Sequence, residues 1–198
     1  LSWFEKLLMD ERLNERDFGL LLKRGQKSIE AFYTEKKDDF SPQDIIELSF
    51  KTQGVVVNDV SLTGKIDRMR VLDGKIEVCD FKTGKVIRDW SPSDPYEKIK
   101  AWRYRQQLIF YKLLIENSRD FGGKYSVNKG TIEFIEPLRG EIMDLPIEIE
   151  KEEVKRVEDL ISVVNKKIKA LEFPGISGYS KDIKGITAFE DDLLKELN

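Results

Sequence analysis

The stretch GKIDRMRVLDGKIEVCDFKTGK, residues 64–85, holds two runs of alternating apolar residues separated by Asp73-Gly74. Asp-Gly between such runs is the strongest short-range signal for a β-hairpin. A two-residue turn there pairs Leu72 with Lys75. Facing residue numbers then sum to 147, and Asp67 lies opposite Asp80. Partners of this kind have Cα atoms about 4.5–5.5 Å apart and side chains on one face. Lys82, two residues beyond Asp80, shares that face because strand side chains alternate with a period of two. Like charges facing each other weaken a hairpin unless something neutralises them. A divalent cation is the simplest neutraliser, while solvated ion pairs with Lys65, Arg68 or Lys82 are the plainer alternative.

Outward from the hairpin, FSPQDIIELSF (40–50) reads as a turn leading into a first strand, and SLTGKIDRMRVL (61–72) and KIEVCDF (75–81) as the next two. A loop rich in Pro, Ser, Asp and Gly follows, then a helix from about Glu97 to Asn117. KGTIEFIEPL (129–138) and GEIMDLPIEI (140–149) read as two more strands. KEEVKRVEDLISVVNKKIKAL (151–171) is an amphipathic helix with Val154, Val157, Leu160, Ile161, Val164 and Ile168 inward, and DDLLKELN (191–198) a short last one. Residues 3 to about 37 carry helical spacing, with Gly19 and Gly25 as expected joints between two or three helices. The order predicts an α/β (α+β) domain, a central mixed β-sheet flanked by helices.

Composition narrows the chemistry. At 198 residues, 40% apolar, the chain suits one domain of 1–198, in which the helices of about 1–40 form a subregion over the cleft. No apolar run is long enough to span a membrane, and LSWFEKLLMDER lacks the look of an export leader, so a cytoplasmic, intracellular protein is expected. One cysteine, Cys79, assembles neither a disulfide nor a zinc or iron-sulfur site. The absence of histidine removes the commonest general base. Hydrolysis by this chain would run on carboxylates, lysine, water and hard cations such as Mg²⁺ or Mn²⁺. A net charge of -3 confines any nucleic-acid contact to a local basic strip.

A third carboxylate, Glu47, enters the first strand. With Asp67, Asp80, the backbone carbonyl of Phe81 and waters it would complete an oxygen shell for Mg²⁺. Lys82 has no lone pair for a metal and would instead hold the attacking water or stabilise charge on a phosphate. Gln107 and Tyr111, four residues apart, share a helix face; they read either as polar groups turned to that site or as a surface amide and a core ring. KIKAWRYRQQ interleaves Lys98, Lys100, Arg103 and Arg105 with Trp102 and Tyr104. That pattern fits phosphate contacts with base stacking, and equally the start of an amphipathic helix.

LTGKIDRM, VCDFKTGK and QLIFY resemble, in order and spacing, the Gly-x-Ile-Asp, Asp-Tyr-Lys-Thr-Gly and Gln-Leu-x-x-Tyr motifs of RecB-like nucleases in the PD-(D/E)XK superfamily. The resemblance, over Glu47 to Leu114, implies a restriction-endonuclease-like core (αβββαβ) and metal-dependent cleavage of DNA phosphodiesters, on single strands or ends. It implies Asp67 and Asp80 as metal ligands, Lys82 as the catalytic lysine, Glu47 as the first-strand acid, and Gln107 with Tyr111 as the helix motif. It also implies DNA repair, recombination or replication as the setting, a helicase or recombination partner, and a monomer or homodimer. Many such proteins carry a histidine on an N-terminal helix; here LLLKRGQKSIEAFY (20–33) offers Lys23, Gln26, Lys27 or Glu30 instead. FPGISGYSKDIKG (173–185) has no cysteine, which resembles a branch without an iron-sulfur cluster. An inactive nucleic-acid-binding module, and the nuclease domain of a larger helicase-nuclease, are the competing readings.

Overall fold

A computed structural model describes residues 1–72 and 74–197. The chain forms two compact units. The first comprises Leu1–Pro42, Phe81–Val86 and Glu133–Asp144, and the second Gln43–Asp80, Ile87–Ile132 and Leu145–Asn198.

In the first unit, α1 (Ser2–Met9) is followed by α2 (Glu15–Lys36), whose N-terminus is capped by Asn14: its side chain accepts from the Asp17 N–H at 2.9 Å. Helix α2 runs unbroken through Gly19 and Gly25, so neither is the expected joint. Gly25 serves close packing instead, since a Cβ there would stand 2.0 Å from the Phe4 ring of α1. Phe32, Phe40 and Phe81 form a ring cluster with centroids 5.8–6.3 Å apart. Arg24 grips Glu136 through Nε and Nη2, at 2.9 and 2.7 Å.

The second unit carries most of a five-stranded mixed sheet, ordered β1 (Ile45–Ser49), β4 (Lys65–Leu72), β5 (Lys75–Lys82), β6 (Ser126–Phe134), β7 (Asp144–Glu148). A separate small hairpin pairs β2 (Val56–Val57) with β3 (Val60–Ser61). Its turn, Asn58-Asp59, has both φ values positive (48° and 62°), as a type I′ hairpin requires. Sequence reading missed this hairpin and ran Ser61 into the strand that begins at Lys65. Strands β4 and β5 pair antiparallel from Leu72↔Lys75 to Arg68↔Cys79, the expected register. Asp73 of the expected turn lies outside the described residues; Gly74 has φ +78°.

Helix α3 (Pro95–Glu116) starts two residues before the expected point. Asp94 caps it, accepting from the Glu97 N–H at 2.9 Å, and Pro95 fills the first turn, where no N–H is needed. It packs with α4 (Lys151–Ala170) and α5 (Ile183–Leu194), and α5 begins well before the expected DDLLKELN segment. Val57, Ile109, Leu113 and Val157 form a shared core. Gly64 lets the chain pass close to α3: a Cβ there would stand 2.7 Å from Leu114 Cδ1. The element order, a helix, three strands of one sheet, a helix and a strand, is that of a restriction-endonuclease-like core.

Candidate active site

The site grows from the rung that continues the β4–β5 ladder. Arg68↔Cys79 is followed by Asp67 and Asp80, each on the face that also carries Met69, Val71, Ile76 and Val78. In β1 the pairs Ile46↔Arg68 and Leu48↔Ile66 flank Glu47. Glu47, Asp67 and Asp80 therefore occupy one row across three neighbouring strands.

Asp80 is 1% exposed, which excludes the reading of a solvated edge carboxylate. A buried carboxylate needs donors, and α3 supplies two. Gln107 Nε2 donates to Asp80 Oδ1 at 2.5 Å and the Tyr111 hydroxyl donates to the same oxygen at 2.7 Å. Gln107 Nε2 also lies 2.9 Å from the Tyr111 hydroxyl. Both donors therefore serve the acid together, four residues apart on one helix face. Burial first, then the hydrogen bond and charge of Asp80 and the charge of Asp67, push the Tyr111 phenol well above its usual range.

The remaining expected residues fall into distinct places. Glu47 has φ +58°, is exposed and ion-pairs with Lys65, so Lys65 is a partner of Glu47. Among the described residues no three Asp, Glu, His or Cys side chains gather into a group that would hold a metal ion as they stand. Phe81 and Lys82 follow Asp80 on β5; the Lys82 carbonyl accepts from the Ile135 N–H at 3.0 Å. Arg68 sits on the opposite face of β4 from Asp67, buried against Asp44, which Arg70 also meets at 3.4 Å.

The expected basic strip divides around α3. Lys100 lies with its Nζ 5.6 Å from the Tyr104 ring centroid, a cation–π contact. Arg105 forms a two-pronged ion pair with Glu153, its Nη2 2.6 Å from Oε2. Arg103 and Lys98 are exposed and Trp102 is half-buried.

Sequence reading missed Tyr104 as a neighbour of the acids. Its phenol is held above the usual range by burial and then by the charge of Asp80. The signal was available: Tyr104, Gln107 and Tyr111 are three and four residues apart, one helical stripe. Also missed was Asp44, whose side chain is 2% exposed beneath the two arginines.

Two facing carboxylates, one sealed by neutral donors, present hard oxygen ligands of the kind Mg²⁺ and Mn²⁺ take. Mg²⁺ commonly uses one or two protein carboxylates together with waters and substrate phosphate oxygens. The donor set fits such an ion.

A sequence model of the PD-(D/E)XK nuclease superfamily matches residues 2–180. Comparison with curated proteins gives no match. Among solved structures, the one described as "Crystal structure of SSO0001" aligns with a TM-score of 0.35 at 16% identity, over 82% of this chain and 67% of that one. Among the described residues no helix is long and apolar enough to cross a membrane.

Proposed function

Since the chain belongs to the PD-(D/E)XK nuclease superfamily, we propose that it is a divalent-metal-dependent deoxyribonuclease of RecB-like type. It would hydrolyse DNA phosphodiester bonds, on single strands or ends, with residues 1–198 as one nuclease domain. The observation that carries this reading is Asp80: a carboxylate 1% exposed, facing Asp67 across the hairpin and gripped by Gln107 and Tyr111. Burying Asp80 beside a second acid costs stability, and a carboxylate serving only as surface charge would gain nothing from it.

Asp67 and Asp80 would hold the metal, with Glu47 and the Phe81 carbonyl as further oxygen donors. The bound cation polarises the phosphodiester and makes its water a stronger nucleophile. Gln107 and Tyr111 fix the orientation of Asp80. The phenol is protonated and a donor at neutral pH, and burial with the neighbouring acids moves its ionisation still further away. Lys82 shares the strand face of Asp80, two residues on, and would steady the attacking water or the charge on the phosphate. Lys98, Lys100, Trp102, Arg103 and Arg105 are the proposed nucleic-acid contacts, with Arg105 acting in company with Glu153.

The test is incubation of linear and circular, single- and double-stranded DNA with Mg²⁺ or Mn²⁺, comparing the intact protein with Asp80→Ala. Cleavage that needs metal and disappears in the variant is the expected result. Tight binding without cleavage by either protein would favour the inactive binding module.

A further inference from the structure

A cavity of about 560 Å³ lies on α3 away from the acids. Its walls include Trp90, Ser91 and Ser93 from the loop before α3, Lys98 and Trp102 from α3, and Thr187 from α5. The α3 residues that line it cluster around Trp102, five positions before Gln107. At about 100° per residue that places them roughly 140° around the helix from Gln107. The cavity is thus a separate site from the Asp67–Asp80 row.

Its chemistry is selective. Among the described residues no carboxylate lines it. Two acids of the preceding loop are committed to backbone: Asp89 Oδ1 accepts from the Ser91 N–H at 2.8 Å, and Asp94 caps α3. Trp90 is fixed by its indole N–H, which donates to the Pro146 carbonyl at 2.7 Å. Arg105, also on the wall, is held by Glu153, so the exposed charge at the rim is that of Lys98. Two indoles, an ammonium and three hydroxyls around a space of this size suit a flat aromatic group joined to an anion.

We propose that this cavity takes one unpaired nucleotide of the substrate strand, its base against Trp102 and Trp90 and its phosphate at Lys98. The proposal rests on the nuclease reading for its choice of ligand and names single-stranded nucleic acid as the substrate class. Lys98 lies nine residues, about 13 Å along the axis, from Gln107. A strand engaged at both places must bend around the N-terminal turns of α3. A flexible single strand does so; a duplex, with a persistence length of about 50 nm and no unstacked base to offer, does not.

The test measures binding of a labelled oligothymidylate and of its duplex with oligoadenylate, in EDTA, alongside magnesium-dependent cleavage of the single strand. Trp102→Leu and Trp90→Leu are expected to weaken single-strand binding by about 5- to 140-fold each, the worth of one base stack, with duplex binding within about twofold of wild type. Trp102→Phe, which keeps a stacking ring and the packing, should restore most of the loss. Lys98→Ala, at an exposed position, should flatten the dependence of log K on log salt by about 0.7. Unchanged single-strand binding and salt slope in Lys98→Ala and the tryptophan variants would overturn the proposal, as would an equal loss on duplex. A protein that cleaves normally while those variants bind normally refutes the cavity alone. Cavity-dependent binding by a protein that never cleaves refutes the nuclease reading and leaves the cavity standing.

Discussion

Replacing Asp80 by Asn isolates what the acid is for. The side chain keeps its shape, and its carbonyl still accepts from Gln107 and Tyr111. Two electrostatic changes oppose each other in the metal-free protein. Repulsion from Asp67, about 5 Å away across the rung, is worth about 3 kcal/mol at an effective dielectric constant of 20. Against this, two charge-assisted hydrogen bonds become neutral ones, a loss of about 1 kcal/mol each. Asp80→Asn should therefore match or slightly exceed wild type in stability in EDTA, by up to about 1 kcal/mol. Magnesium separates the proteins again. At a hundredfold excess over its dissociation constant the ion adds about 2.7 kcal/mol to a protein that binds it when folded. For a chain of this length that raises the melting temperature by about 5–10 °C. Wild type should show the rise and the variant should not, in calorimetric scans with and without Mg²⁺. A cost above about 3 kcal/mol in EDTA would mark Asp80 as a structural charge, and an equal magnesium response in both proteins would refute the metal assignment.

Tyr111→Phe removes a donor from a buried carboxylate and should cost about 1–3 kcal/mol in urea denaturation at pH 7. Because the folded phenol titrates above the unfolded one, its contribution is complete below about pH 10 and is lost as pH rises beyond it. Wild type should thus lose up to about 1.4 kcal/mol per pH unit more than Tyr111→Phe between pH 10 and 11.5, and parallel curves would contradict the raised pKa. Gly64→Ala forces a methyl against the fully buried Leu114 and should cost about 1–3 kcal/mol, recovered in part by Leu114→Val; additive effects in the double mutant would show that the two do not touch. Asp44→Ala leaves Arg68 buried beside an empty place and should destabilise by about 3 kcal/mol, with magnesium-dependent cleavage retained by whatever fraction remains folded. A loss below about 1 kcal/mol in denaturant melts would show that the arginines are satisfied without it.

The parts of the fold written in local pattern were legible. Asp-Gly between alternating runs gave the β4–β5 register to the residue, and with it the rung of Asp67 and Asp80. The Gln107–Tyr111 spacing told that the two share a face, but their meeting on Asp80 is visible only in the structure. What escaped depended on contacts distant in sequence. Gly25 reads as a helix breaker until Phe4 is seen lying against it. Arg105 reads as a phosphate contact until Glu153, 48 residues later, closes on it. The conformation of Glu47 was likewise invisible, because a left-handed backbone at a strand position has no signature in a side chain that usually avoids it. The Asn58-Asp59 turn was visible in principle, but the strands it joins are only two residues each, too short for alternation to register.

Strand β4 carries an anion on one side, Asp67, and two cations on the other, Arg68 and Arg70 above Asp44. Sliding it one residue along its neighbours would exchange the sides. Asp67 would then be thrust toward Asp44, and an arginine into the row of Glu47 and Asp80. An arginine there could satisfy the carboxylates permanently and shut out any ion. The opposite signs of Asp67 and Arg68 on the two faces thus work as a key that admits a single threading of the hairpin, so a misregistered chain would be electrostatically self-quenched as well as badly packed.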